Sequence, residues 1–94
     1  MNLKNNHSTE KPVSATPLFK GEGATVALQI LKNQQLKEHT TKVPALLVCV
    51  IGEVVFENEN GIKETLHPGD YVNIEPIVKH WVVGQEDSQL LLLK

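Results

Sequence analysis

The 94-residue chain has no arginine, and its nine basic residues are lysines spread singly along it. Phosphate-rich partners are usually gripped by Arg forks or dense basic patches. With a net charge of −2, nucleic acid is therefore not an expected partner. Cysteine is nearly absent too. The one thiol, Cys49, has no internal partner and sits between Val48 and Val50. It reads as a small hydrophobe in a reducing compartment, so a cytoplasmic location is expected. Long apolar runs are missing: the longest, Val43 to Ile51, is far short of a membrane span. The beginning, "MNLKNNHSTEKP", is polar and has no apolar stretch of the kind a signal peptide needs. An acceptor pattern for glycosylation at Asn6 would matter only in a secreted protein. No internal repeat is visible, and no stretch keeps a helical period for three turns.

What is present is a series of short apolar or alternating runs. Residues Met1 to about Pro17 carry few large apolar groups and are expected to form a flexible tail, leaving one domain over residues 18–94. A single domain is all this length allows, and folding at this size buries only roughly 60–65% of the unfolded surface. From Leu18 onward eight runs recur: "ATVALQIL", "KEHTT", "PALLVCVI", "EVVFEN", "IKETL", "DYVNI", "KHWVV" and "SQLLLL". Frequent β-branched residues make them strands. Asn60-Gly61 suits a two-residue hairpin turn with positive φ, and Pro68-Gly69 suits the middle of a type II turn. Pro76 ends a strand after Ile74 by holding Glu75 extended. Eight short strands without helix predict an all-β sandwich or barrel.

Strand parity sorts the side chains. His39 and Thr41 share a face. Ala45, Leu47, Cys49 and Ile51 lie on one side of the next strand, and Leu46, Val48 and Val50 on the other. Both sides are apolar, so one set fills the interior and the other needs a second sheet or subunit. A homodimer is the expected remedy for so small a core.

The run from His39 to Val54, followed by "LHPGDYVNIEPIVKH" ending at His80, resembles the two ordered motifs of the cupin superfamily. Gly52 fits the glycine closing the first motif. Gly69-Asp70, Ile74, Pro76 and His80 fit the second. The resemblance covers roughly Leu18 to Leu93. It implies a small antiparallel double-stranded β-barrel, often dimeric, with a pocket at one mouth where three histidines and a glutamate hold a divalent metal. His39 matches the first histidine and His80 the last. The second histidine falls on Thr41, and the glutamate on Ala45 or, with longer spacing, Leu46.

Two neutral imidazoles without the carboxylate make a poor trap for a dication, since catalytic zinc generally keeps three protein ligands. No cofactor is firmly expected, and a divalent metal on His39 and His80 is the alternative. Gln29 could join if strand pairing aligned it. The expected pocket comprises His39, Thr41, Ala45, Leu47, Cys49 and His80, open to a small-molecule ligand. Its reaction is unassigned, and no catalytic residue is named. The competing readings are a metal-dependent oxygenase, isomerase or lyase, and a dimeric accessory protein with a vestigial pocket. Thr41 reads as a polar wall, because nothing adjacent would activate it as a nucleophile. Cys49 reads as inert packing with a raised pKa. His67, before the Pro-Gly turn, reads as a surface residue; Phe56 and Tyr71 read as packing. Trp81 faces away from His80 and is a candidate interface residue, and Glu53, Glu57, Glu59 and Glu64 form a solvated rim.

Overall fold

The computed structural model describes residues 1–8, 10–20 and 23–94. After a short 3-10 turn at Leu3–Asn6 come, among the described residues, nine strands: β1 (Val13–Lys20), β2 (Ala24–Ile30), β3 (Gln35–His39), β4 (Ala45–Ile51), β5 (Val54–Asn58), β6 (Lys63–Leu66), β7 (Tyr71–Ile74), β8 (His80–Gly84) and β9 (Ser88–Leu93). There is no α-helix among the described residues. The strands pair antiparallel in two sheets, one ordered β1-β2-β9-β4-β7 and the other β3-β8-β5-β6. The expected all-β antiparallel fold is present, as two facing sheets around one core.

Alternation puts one face of each strand into that core. Leu28, Ile30, Ala45, Leu47, Cys49, Ile74 and Leu90 come from the first sheet and meet Val54, Phe56, Leu66 and Val82 from the second. On β4 the parity expected from sequence holds for Ala45, Leu47 and Cys49, which are buried. Ile51 at the strand end is exposed, while Leu46, Val48 and Val50 are half-buried on the outer face.

Eight of the nine strands overlap the eight runs, with β3 shifted to Gln35–His39 so that Thr41, expected on the face of His39, lies beyond the strand end. The ninth, β1, starts at Val13, so the boundary expected at residue 18 falls inside a strand. Its polar residues and Pro17 disguise it. Pro17 is tolerated because β1 is an edge strand pairing only with β2, and the register shifts between Pro17 and Phe19. The segment before β1 is tied to the outer face of the first sheet. Gln29 Nε2 donates to the Ser8 and Lys11 carbonyls at 3.2 and 3.1 Å, and Gln29 Oε1 accepts from Gln89 Nε2 at 2.9 Å.

The turns follow their residues, with one correction. Strand β7 ends at Ile74 before Pro76, and Gly69 carries the φ of +94° that a type II turn needs. The hairpin between β5 and β6 is not the expected two-residue turn with positive φ at both positions. Only Gly61 has positive φ (+85°), and its N–H donates to the Asn58 carbonyl at 3.1 Å. Asn58 Oδ1 explains the longer turn, since it accepts from the Asn60 and Ile62 N–H groups at 3.0 and 3.1 Å. A side-chain acceptor two residues upstream competes with the shorter loop.

Candidate functional site

Strand β3 pairs with β8 as Gln35 with Val83, Leu36 with Val82, and His39 with His80, with the register shifting between Leu36 and His39. Lys37 and Glu38 together thus oppose the single residue Trp81, which is a β-bulge. Without it, Leu36 and His39 would point to opposite faces, because they lie an odd number of positions apart. With it, both share the face of Val82 and His80, which are 1% exposed. The bulge also supplies an acceptor. His39 Nδ1 lies 2.9 Å from the Lys37 carbonyl.

His80 repeats this arrangement, its Nδ1 lying 3.3 Å from the Val78 carbonyl. A carbonyl only accepts, so each hydrogen bond requires the proton on Nδ1 and leaves the Nε2 lone pair free in the neutral ring. Neither Nε2 has a hydrogen-bond partner among the described residues. The two rings meet edge to face, with centroids 4.1 Å apart and planes at 61°. Phe56 stacks on His80 at 5.7 Å and 27°. Burial lowers the His80 pKa; the Val78 carbonyl opposes that shift and the neighbouring His39 adds to it.

His39 is half-buried and opens onto a groove of about 470 Å³ lined by Val13, Gln35, Leu36, Lys37, Glu38 and His39. Of the six residues expected to share a pocket, His39 and His80 are brought together. Ala45, Leu47 and Cys49 are packed into the core. Thr41 donates to the Val43 carbonyl at 2.9 Å and lines a different groove, of about 680 Å³, with Gly23, Ala24, Lys42, Val43, Pro44 and Lys94. Nothing in the sequence marks Val13 and Leu36 as groove residues. Val13 belonged to the expected tail, and Leu36 reaches the face of His39 only through a bulge that period-2 reading does not reveal.

The donor set does not fit a tightly held metal. No group of three or more His, Cys, Asp or Glu side chains suited to an ion occurs among the described residues. Gln29, considered as a substitute ligand, is engaged with Ser8, Lys11 and Gln89. Cys49 is fully buried and its pKa is raised by burial first, then by the charges of Asp70 and Glu53. His67 is a surface residue whose Nε2 lies 3.0 Å from Glu53 Oε1 and whose Nδ1 lies 3.5 Å from Asp70 Oδ2. Trp81 is half-buried and donates from Nε1 to Glu57 Oε2 at 3.1 Å, so that rim carboxylate has a partner.

No family model and no curated protein matches the sequence. Solved structures do match the fold. A cupin superfamily protein from Desulfitobacterium hafniense superposes with a TM-score of 0.86 at 16% identity, covering 98% of this chain and 84% of that one. An RmlC-like cupin from Shewanella frigidimarina gives 0.78 at 22% identity, covering 87% and 74%. A further RmlC-like cupin, from Desulfovibrio desulfuricans, gives 0.79 at 16% identity, covering 89% and 82%.

Proposed function

We propose that this chain, which has the cupin fold, binds a small molecule at His39 in the groove beside β3, without a tightly held metal. The observation that carries this reading is the pair of Nδ1–carbonyl hydrogen bonds at His39 and His80. They fix both rings in one tautomer and leave lone pairs to offer. A concave, largely apolar wall with a few placed polar atoms is the usual form of a ligand site. His39 is the contact residue; His80, buried behind it, supports the ring.

The reading is tested by a metabolite screen scored as melting-temperature shifts, run on the wild type and on His39→Ala. Ligand at about one hundred times its Kd stabilises by about 2.7 kcal/mol. The expected result is a ligand that stabilises the wild type and loses most of that effect in the variant. Equal shifts in both proteins, or no shift from any compound, would count against it.

A metal-dependent oxygenase, isomerase or lyase built on His39 and His80 is less well supported, because only two donors meet. The accessory-protein reading has one specific observation behind it: the interior is filled, with Phe56, Leu47, Leu66 and Leu90 all fully buried. Half-buried Leu46, Val48 and Val50, with Tyr71 63% exposed on the neighbouring strand, give the outer face an apolar character suited to a homodimer. A reducing, cytoplasmic setting is proposed from the lone buried thiol. No helix is long and apolar enough to cross a membrane among the described residues.

A further inference from the structure

We infer that the groove selects an uncharged, mainly apolar molecule carrying an O–H or N–H donor, with the donor directed at Nε2 of His39. This inference rests on the binding reading above and names its ligand class. The groove wall combines two apolar side chains, Val13 and Leu36, with the His39 ring. Both pack at the edge of the hydrophobic core. Because Nδ1–H is committed to the Lys37 carbonyl at 2.9 Å, the neutral ring of this groove residue keeps an acceptor, Nε2, and no free donor.

A carboxylate or phosphate placed there would set its lone pairs against that of Nε2. The groove charges offset one another, since Lys37 and Glu38 both line it. The chain also has no arginine to form a bidentate clamp. A hydroxyl or amine proton, by contrast, completes the hydrogen bond that the His39 ring leaves open. The volume of about 470 Å³ lies within the range of small-molecule sites.

Three probes of one shape separate these properties: phenol, anisole and benzoate. Each is titrated into the full chain at neutral pH while the imidazole signals of His39 and the methyl signals of Leu36 and Val13 are followed by NMR. Phenol should move all three residues and saturate. Anisole, in which a methyl group replaces the donor proton, should bind about tenfold more weakly, and so should benzoate. His39→Phe keeps a ring but removes the acceptor, and should bring phenol down to the anisole level.

Anisole matching phenol, or benzoate exceeding it, overturns the ligand class while leaving the groove as a binding site. If no probe moves His39, Leu36 or Val13, the site reading itself fails, and the inference with it. The comparison of probes on the wild type stands even if His39→Phe does not fold.

Discussion

Ile77 has a φ of +64° and a side chain 80% exposed. A β-branched residue in the left-handed region costs roughly 1–2 kcal/mol, and exposure returns nothing for it. Its N–H donates to the Thr41 carbonyl at 2.8 Å, which links the β7–β8 loop to the β3–β4 loop and holds the conformation. Ile77→Gly should relieve the strain, less about 0.5–1 kcal/mol for the freer unfolded chain. A net gain of about 0.5–1 kcal/mol is expected from urea denaturation; a loss of stability would mean that the side chain makes a contact of value. His80 supplies a second test. Burial depresses its pKa, so the unfolded chain takes up the proton first. The resulting stability is present above the unfolded value of about 6.5 and is lost as pH falls below it. His7, also lowered by burial, acts in the same direction. Denaturation midpoints should drop between about pH 7.5 and 5.5, and less steeply in His80→Gln. Parallel pH profiles for the two proteins would show that His80 is not the cause.

At the scale of elements, the turns and the bulge decide where side chains go. Gly52 joins β4 to β5 with φ +93°, and a Cβ there would collide with the Asp87 carbonyl and Ser88 Oγ. Gly61 has φ +85°, but a Cβ there would meet open space. Gly61→Ala should therefore cost about 1–2 kcal/mol from backbone strain alone. Gly52→Ala adds a steric clash and should cost clearly more, above about 3 kcal/mol. Equal losses would mean that the β4–β5 turn can yield. Much of this scale was legible in the sequence. Eight runs became strands, Pro76 ended β7 at Ile74, and alternation on β4 placed Ala45, Leu47 and Cys49 inward. Two features were hidden for identifiable reasons. β1 combines polar residues with Pro17, which only an edge position accommodates. The Lys37–Glu38 bulge depends on pairing with β8, a partner more than forty positions away in the chain.

For the molecule as a whole, filling and function compete for the same space. The candidate pocket read from sequence assumed an open interior, yet Ala45, Leu47 and Cys49 belong to one packed cluster with Phe56. Parity could place those residues inside, but it could not reveal that side chains from the opposite sheet fill the room. Phe56→Ala tests that filling. Truncating a fully buried aromatic costs about 3–5 kcal/mol, and this one would open space against His80, which Phe56 stacks upon at 5.7 Å. The variant should melt well below the wild type and recover part of the loss with benzene present; no recovery would mean that the core closes over the gap. What the fold leaves beside that core is a pair of ring nitrogens with free lone pairs, one half-buried on His39 and one buried on His80, and too few companions to hold an ion. Calorimetric titration of the untagged protein with Zn²⁺ addresses that directly. Structural zinc binds with roughly 10–16 kcal/mol, which is tens of nanomolar or tighter, whereas His39 and His80 alone should bind more weakly than about 1 μM. One zinc per chain at nanomolar affinity, abolished in the His39→Ala, His80→Ala double variant, would contradict it.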